Sequence, residues 1–378
     1  MSMPVGTDVA VVGGGVIGSS IAWRAAAAGM RVTLIDSDLT ASASWVAGGM
    51  LAPVAEAWPG EEELLEFGAA SLACWPRFAT ELTAAGHDPA LRPYGTLVLG
   101  ADAADREVLA ALADYLQQRG RQSELLTGRQ LRRVEPAVAP AIRSGLSVPG
   151  DLAVDNRKLL AALRSAGAAA GVRQIQATVT GLRPLLLSDG GHVGCETVVL
   201  AAGAWSCRLH PALVHAIRPV KGEVLRLHAR AGSLPPPKWT VRGLVEGRPV
   251  YLVPREDGEL VVGATQYEAG FDTDPVAGGV RDLLADAERL VPAVSDYALR
   301  EVAAGLRAGS ADNLPVIGWL EPGVLAATGH SRNGLLLAPL TADVVLAMLG
   351  GATLPAVARA ADIARLHIED ARYEGAVG

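Results

Sequence analysis

Three glycines and one aspartate near the start of the chain have the types and spacing needed to bind a dinucleotide. Gly13, Gly15 and Gly18 follow an apolar run in the pattern G-x-G-x-x-G, and Asp36 closes a second apolar run. The first glycine permits a tight turn, the second lets a pyrophosphate approach the backbone, and the third lets a helix pack closely on a sheet. The helix N-terminus attracts the pyrophosphate, and Asp36 can accept hydrogen bonds from an adenosine ribose. The pattern therefore predicts a dinucleotide site.

Two further segments could bring backbone close to the same ligand. Gly48 and Gly49 are adjacent in residues 36–60, a stretch without clear periodicity that is typical of a long loop. Because glycine has no side chain, the backbone there could lie close to a flat or bulky ligand, although a merely flexible loop has the same composition. A buried strand at 193–200 enters small residues before Gly203, at the edge where doubly wound sheets bind their ligands.

Two more segments carry cationic side chains near glycines. Residues 327–334, A-T-G-H-S-R-N-G, predict a strand, a turn and a helix whose N-terminus can face a ligand dipole. Residues 304–307, A-G-L-R, end in Arg307 after an apolar run, which favours an inward-pointing guanidinium. Taken singly, each arginine is more typical of a solvated surface charge.

Composition limits the class of protein that must position these residues. The chain has 378 residues, of which 50% are hydrophobic and 19% charged, which predicts a globular protein with two domains or one large insertion. A net charge of −7 argues against nucleic acid or an anionic membrane as a partner. The three cysteines form no C-x-x-C pair and predict buried thiols in a reducing cytoplasm, with no zinc site.

Neither a targeting segment nor a membrane span is predicted. The first strand begins near Asp8, which leaves no room for a signal peptide. The most apolar stretch, residues 334–351, is short for a bilayer and contains Pro339 and Asp343, which favours a buried core helix. We therefore expect a soluble, cytoplasmic protein.

Hydrophobic periodicity predicts a chain of alternating helices and strands. The opening β-α-β unit comprises a strand at 9–12, a helix at 16–28 and a strand at 32–35. Further helices are predicted at 61–84, 103–119, 127–134, 155–170, 282–290 and 335–349, with Asp155 as an N-cap. Further strands are predicted at 94–99, 193–200, 220–227, 250–254, 260–263 and 324–328.

The order of these elements predicts an α/β protein with a discontinuous Rossmann-type domain for the dinucleotide. We expect that domain to comprise residues 1–85, 150–215 and 305–378. Residues 86–149 and 216–304 form the inserted α+β substrate-binding domain, built on an antiparallel sheet of short strands between Gly, Pro and Asp turns.

Six short motifs together resemble the flavin-dependent amine oxidases of the D-amino acid oxidase type, and within that family the glycine oxidases. They are A-G-G-M-L at 47–51, P-V-K-G-E at 219–223, Y-L-V-P-R at 251–255, V-V-G-A-T at 261–265, A-G-L-R at 304–307 and G-H-S-R-N-G at 329–334. The resemblance covers residues 8 to about 350 and implies an FAD cofactor. Related sarcosine oxidases attach their flavin to a cysteine near residues 307–317, where this chain has none, so non-covalent FAD is expected.

The resemblance also implies which residues contact the cofactor. Gly13, Gly15 and Gly18 lie under the pyrophosphate and Asp36 on the ribose. The remaining implied contacts are Val16, Ile17, Ser37, Ser44, Gly48, Gly49, Met50, Val179, Gly203, His330, Ser331, Arg332, Asn333, Gly334, Leu335 and Leu336. His330 is expected to fix its loop or touch the flavin and not to act as a base. Lys221, beside Gly222, could tune the flavin but is more typical of a turn lysine.

Three residues match the family's substrate anchors. Tyr251, Arg307 and Arg332 stand where the family holds the carboxylate of an amino acid, and a planar guanidinium fits a carboxylate with two parallel donors. Tyr251 could equally be a core aromatic with a satisfied hydroxyl. Gln266 replaces the apolar residue that often follows V-V-G-A-T, which predicts a more polar pocket wall.

The activity implied is oxidative deamination of glycine, and possible substrates include sarcosine and small D-amino acids. Hydride transfer to the flavin would be followed by reoxidation with dioxygen, giving an imine, glyoxylate, ammonia and hydrogen peroxide. Such enzymes often supply glycine imine for the thiazole of thiamine, and the family suggests a homotetramer. A flavin dehydrogenase with another electron acceptor and a flavoprotein binding module without turnover are the alternatives.

Overall fold

The computed structural model describes residues 6–38, 40 and 42–366. Within them the α-helices are α1 (Val16–Ala27), α2 (Ala43–Val46), α3 (Glu62–Ala84), α4 (Ala103–Gln118), α5 (Gly128–Val134), α6 (Asn156–Ala169), α7 (Ala277–Leu290) and α8 (Gly334–Leu349). The first ten strands are β1 (Thr7–Val12), β2 (Val32–Asp36), β3 (Met50–Leu51), β4 (Leu91–Arg92), β5 (Thr96–Gly100), β6 (Glu124–Thr127), β7 (Ser144–Val148), β8 (Leu152–Val154), β9 (Arg173–Gln176) and β10 (Val179–Leu182). The others are β11 (Leu185–Leu187), β12 (His192–Val193), β13 (Cys195–Leu200), β14 (Arg218–His228), β15 (Thr240–Val245), β16 (Arg248–Pro254), β17 (Glu259–Gly263), β18 (Ala298–Gly309), β19 (Val316–Glu321) and β20 (Val324–Thr328).

A six-stranded sheet in the order β19-β20-β13-β1-β2-β9 carries the glycine motif. Its strands run parallel except for β19, which pairs antiparallel with β20. Alternate residues of β1 face opposite layers. Val9 and Val11 pack in the core that contains α1, α6 and α8, whereas Ala10 and Val12 pack against β10 and β11. Burial on both faces explains why β1 is an unbroken apolar run.

A second sheet of eight strands has the order β18-β14-β17-β16-β15-β5-β7-β6. All of its pairs are antiparallel except β15 with β5. Helix α7 covers one face through Leu283, Ala287 and Leu290, which share a core with Leu225 and Leu252. The α/β fold with a parallel cofactor sheet and a largely antiparallel second sheet is thus as predicted. The division into residue ranges of domains stays a prediction, and residues 1–5, 39, 41 and 367–378 lie outside the described residues.

The most apolar helix lies inside the protein. The segment Ser331–Leu349, which ends in α8, is long and apolar enough to cross a membrane, yet 61% of its apolar window is buried, and α8 packs against α1 and α3. Pro339 lies within it and lacks a backbone donor. From α3, Ser71 Oγ and Trp75 Nε1 donate to the Leu336 carbonyl at 2.7 and 3.0 Å. The helix is therefore fitted to protein neighbours, as the proline and Asp343 predict.

The structure corrects four expectations. Lys221 does not lie in a turn, because β14 continues straight through it and pairs with β18; its side chain is fully buried, and Nζ pairs with the Asp272 carboxylate. The predicted loop at 36–60 contains α2 and β3. Helix α7 begins at Ala277, five residues earlier than predicted. The thiols are free, as predicted, but half-buried, and they are Cys74, Cys195 and Cys207.

Candidate active site

The glycine turn between β1 and α1 is built as the motif predicts. Gly13 has φ +104°, and a Cβ there would lie 2.3 Å from the Ala201 carbonyl oxygen. A Cβ on Gly18 would lie 1.9 Å from the Gly13 carbonyl oxygen, so only glycine lets α1 begin this close to the strand. The nearest atom to a Cβ on Gly15 is Ser44 Oγ, at 3.2 Å. The turn therefore leaves backbone accessible from one side.

Asp36 presents an unused acceptor beside that turn. Its Oδ2 is buried and has no hydrogen-bond partner among the described residues. Burial raises the pKa of this carboxyl, while the nearby backbone N–H groups of Ser37 and Gly14 and the charge of Arg164 oppose the rise. A buried carboxylate oxygen without a donor is costly unless a ligand supplies one. The site thus fits a molecule that brings hydroxyl donors, such as a ribose.

A cavity of about 490 Å³ extends from the turn along the ends of β1, β2 and β13. Nine of the predicted cofactor contacts line it, namely Gly13, Gly15, Val16, Ile17, Asp36, Ser37, Ser44, Val179 and Gly203. Trp205, Arg208 and Leu306, which sequence reasoning missed, line it as well.

A smaller cavity of about 110 Å³ adjoins the first, and Ala43 and Ser44 line both. It brings together the predicted substrate anchors with several predicted cofactor contacts, namely Ser44, Gly48, Gly49, Met50, Tyr251, Arg307, Ser331, Arg332, Gly334 and Leu335. Four predicted cofactor contacts line neither of these two cavities, and they are Gly18, His330, Asn333 and Leu336.

Ser44 fixes the boundary between the two cavities. Its Oγ accepts a hydrogen bond from the Val16 backbone N–H at 3.0 Å, so it caps the start of α1. Asn156 Nδ2 donates to the carbonyls of Ser44 and Trp45 at 2.9 and 2.8 Å, which holds α2 in place.

The paired glycines make room for Tyr251. A Cβ on Gly48 would lie 2.4 Å from Tyr251 Cε2, and one on Gly263 would lie 2.4 Å from Tyr251 Cζ, so the ring lies between two glycines. Arg255 Nη2 donates to the Gly48 carbonyl at 2.8 Å, and burial lowers the pKa of Arg255 to about 10. Arg255 was not predicted as a site residue, although it ends the Y-L-V-P-R motif.

The Tyr251 hydroxyl has no hydrogen-bond partner among residues that the structure describes. Burial raises the pKa of this phenol, so it stays protonated and can donate. The alternative of a core aromatic with a satisfied hydroxyl is therefore not what the structure shows.

The two predicted arginines have different partners. Arg307 Nη1 donates to the Thr265 carbonyl at 3.2 Å, and within the described part of the chain this guanidinium pairs with no carboxylate. Burial lowers its pKa. Arg332 Nη2 instead pairs with Glu61 at 2.7 Å. Burial would lower the pKa of Arg332, but the charges of Glu56 and Glu61 hold it above its ordinary value. Arg307 is therefore the guanidinium available to an incoming anion.

His330 is a buried link and not a titrating group. Its Nε2 lies 3.0 Å from Thr341 Oγ1 on α8, and burial lowers its pKa to about 3. It is neutral at physiological pH and ties the turn before α8 to that helix.

Glu56 is the side chain of this site that sequence reasoning missed most clearly. It lines the smaller cavity with Tyr251 and Arg307, and its side chain is 14% exposed and paired with Arg242. A single acidic residue in a stretch without periodicity gives no signal that separates it from a solvated charge.

The geometry combines a cavity of about 490 Å³ beside the glycine turn with a small chamber lined by a guanidinium, a phenol and a carboxylate. The sequence profile of the family described as DAO, FAD dependent oxidoreductase, matches residues 8–348. The chain belongs to this family. It is an FAD-dependent oxidoreductase, as the sequence motifs predict, and FAD is its cofactor.

The chain is also similar to individual members of this family. The chain is 33% identical over 351 residues to the glycine oxidase of Geobacillus kaustophilus, which covers 89% of this chain and 91% of that one. The crystal structure of glycine oxidase from that organism superposes with a TM-score of 0.84 at 32% identity, over 92% of this chain and 95% of that one. The bifunctional protein ThiO/ThiG of Synechocystis sp. is 34% identical over 360 residues, which is 91% of this chain but 51% of that relative. The chain thus spans about half the length of the bifunctional relatives.

Proposed function

We propose that this enzyme oxidises small amino acids, glycine first, to the imine, which hydrolyses to glyoxylate and ammonia while dioxygen becomes hydrogen peroxide. The observation that supports this most directly is the Arg307 guanidinium, which pairs with no carboxylate of the described residues and lines a small chamber beside the cavity proposed for FAD. A buried cation without an anion is unfavourable on its own, and a substrate carboxylate would complete it.

The substrate carboxylate would be held by Arg307 and Tyr251. The guanidinium offers parallel N–H donors, and the neutral phenol offers a further O–H donor. Arg332 would contribute only indirectly, since it already forms an ion pair with Glu61. Anchoring one end of the substrate fixes the direction of the Cα–H bond, which is the chief requirement for transfer to a neighbouring acceptor.

Size favours a small substrate. The chamber of about 110 Å³ is well below the roughly 300–1,000 Å³ of pockets that take drug-sized ligands. Gly222 and Gly305 line it, and a Cβ on Gly305 would lie 3.2 Å from Val46 Cβ. A bulky side chain on the substrate would compete with these walls.

Cofactor binding would use the glycine turn and Asp36. The backbone of the turn and the start of α1 would hold the pyrophosphate, and Asp36 Oδ2 would accept from the ribose. When bound, FAD supplies the two-electron acceptor for the reaction. We propose that it is held without a covalent bond, because none of the three cysteines lines either cavity.

We extend the proposal to the physiological setting. The imine product would supply the thiazole of thiamine, consistent with similarity to proteins named ThiO/ThiG. A homotetramer in the cytoplasm is the assembly and location we expect from the family.

Reduction of the flavin by glycine without air, followed by peroxide formation when air is admitted, tests the proposal. We expect loss of the flavin absorbance with glycine and one peroxide per substrate consumed. A spectrum unchanged by glycine but lost with a larger D-amino acid would refute the substrate assignment. Rapid loss of colour without peroxide on aeration would refute the oxidase activity and favour another electron acceptor.

A further inference from the structure

Glu56 places a negative charge in a chamber whose other charged groups suit an anion. It lines the chamber together with Tyr251 and Arg307, and its charge acts on the pKa of both. One carboxylate oxygen, Oε1, accepts from Arg242 Nη1. The other oxygen, Oε2, has no hydrogen-bond partner within the described residues.

The protein holds this carboxylate firmly. Arg242 on β15 fixes the side chain, and the Glu56 backbone N–H donates to the Ala52 carbonyl at 3.1 Å. The preceding residue, Ala55, donates its backbone N–H to the fully buried Asp151 at 3.2 Å. A charged group fixed from both backbone and side chain is preorganised for a ligand.

A binding site for a simple carboxylate gains nothing from this group. Arg242 offsets part of the Glu56 charge through Oε1, but Oε2 has no partner within the described residues, so Glu56 still disfavours a substrate carboxylate and leaves an acceptor in the chamber. An amino acid carries an amine one carbon away from its carboxylate, and that amine can donate to Glu56 in its charged or neutral form. The same charge that disfavours an anion therefore favours an amino acid.

We propose that Glu56 accepts a hydrogen bond from the substrate amine and makes the chamber select amino acids over plain carboxylates. This inference rests on the proposed function. Arg307 then recognises one end of the substrate and Glu56 the other, which also orients Cα between them.

Replacement by the isosteric amide, Glu56→Gln, separates the two ends. Acetate resembles glycine without the amine, so its inhibition constant reports on the carboxylate end alone. In the FAD-loaded enzyme we expect Glu56→Gln to raise the KM for glycine about ten-fold, because a charge-assisted hydrogen bond is lost. The acetate inhibition constant should stay the same or fall, since repulsion is removed.

Two further variants control the experiment. Glu56→Asp keeps the charge but moves it away from the chamber, because the side chain is shorter. The KM of this variant for glycine should lie between those of the parent and Glu56→Gln. Glu62→Gln removes the same charge nearby, from a side chain that bonds Gly60 and Arg119 outside the chamber, and should leave both constants unchanged. Flavin content and Tm of every variant report whether the fold survives.

Equal weakening of glycine and acetate by Glu56→Gln would show a general disturbance of the chamber and overturn the inference. Unchanged constants for both would overturn it as well. A parent protein whose flavin no amino acid reduces would refute the proposed function itself. The inference about Glu56 fails by itself when the parent protein oxidises glycine but Glu56→Gln does not change the two constants as expected.

Discussion

Two arginines that look alike in the sequence differ in the structure because of their partners. Arg307 bonds a backbone carbonyl and no carboxylate within the described residues, whereas Arg332 is already paired with Glu61. A guanidinium that is already neutralised has less to gain from a substrate carboxylate. The two side chains should therefore respond very differently to substitution.

We expect Arg307→Ala to raise the KM for glycine ten-fold or more while FAD remains bound. A charge-assisted hydrogen bond is worth about 1.5–3 kcal/mol, and a ten-fold change needs about 1.4 kcal/mol. Arg307→Lys should restore only part of the affinity, because an ammonium lacks the planar pair of donors. Steady-state kinetics and flavin absorbance measure both effects. Arg332→Ala is the comparison, and a larger loss there than at Arg307 would reverse the assignment.

Among single residues of the site, the sequence predicts those that belong to motifs but not those that lie outside them. Tyr251, Arg307 and Arg332 carry recognisable neighbours and line one chamber. Glu56 has no such recognisable neighbours. Its position depends on Arg242, which is distant in the sequence and contacts it only after folding. Unpaired hydroxyls and carboxylates are likewise properties of the assembled structure.

At the scale of elements, the pairing of β14 with β18 positions Arg307. Gly222 on β14 lies opposite Gly305 on β18, two residues before the arginine. A Cβ on Gly222 would lie 2.3 Å from Arg307 Nη1, which is too close for both to remain in place. The absence of a side chain on one strand thus makes room for the guanidinium on the next.

Gly222→Ala should therefore resemble Arg307→Ala without removing any charge. The added methyl group displaces the guanidinium, so we expect the KM for glycine to rise about ten-fold with FAD content preserved. Gly278→Ala on α7 is the matched control, because a Cβ there meets no atom within 4 Å. Kinetics of the two variants side by side make the comparison. Parental kinetics in Gly222→Ala would show that Arg307 can shift without loss and would refute the steric explanation.

Periodicity predicts most elements but not their edges. The opening β-α-β unit, α3, α6 and α8 follow from regular apolar spacing and caps. Strand β18 was not predicted, because its Ala- and Gly-rich sequence shows no clear alternation; it lies at the edge of the sheet, where among the described strands it pairs with β14 alone. Lys221 beside Gly222 suggests a turn locally, but pairing with β18 continues through both residues, and an isolated bridge joins Lys221 to Tyr267.

At the scale of the whole molecule, one buried carboxyl makes stability depend on pH. Asp151 is fully buried, and burial raises its pKa to about 7, against the backbone hydrogen bonds that oppose the rise. The ordinary value is 3.8, so between about pH 4 and 7 the native protein keeps a proton that the unfolded chain has lost. Stability contributed by that proton is lost as the pH rises through this window.

Asp151→Asn should remove this dependence. The amide keeps an acceptor for the Ala55 N–H but never ionises. The stability of the variant relative to the parent should therefore be higher at pH 8.5 than at pH 5. The gain is on the order of 1–3 kcal/mol. Thermal unfolding of both proteins at the two pH values measures it. The exposed Asp114→Asn should show no such trend, and a parent-to-variant difference independent of pH would contradict the prediction.

The cofactor should leave the protein when the fold is destroyed. Since Cys74, Cys195 and Cys207 lie outside the lining of both cavities, we expect acid or heat to release all of the flavin into the supernatant. Absorbance of the supernatant and the pellet measures the division. Yellow colour retained in washed, denatured protein would show a covalent bond.

The order of strands in the six-stranded sheet has a consequence for the nascent chain. The ribosome releases β1 and its glycine turn before the other strands of this sheet, yet β1 pairs on one side with β13, and β13 in turn with β20. Until β13 emerges, one edge of β1 is unpaired, and such edges are prone to wrong partners. Leu306, which lines the larger cavity, emerges later still. The strand of this sheet that is synthesised before the others is therefore completed late, and a chain cut short before residue 306 would carry the glycine motif without Leu306 and without β20.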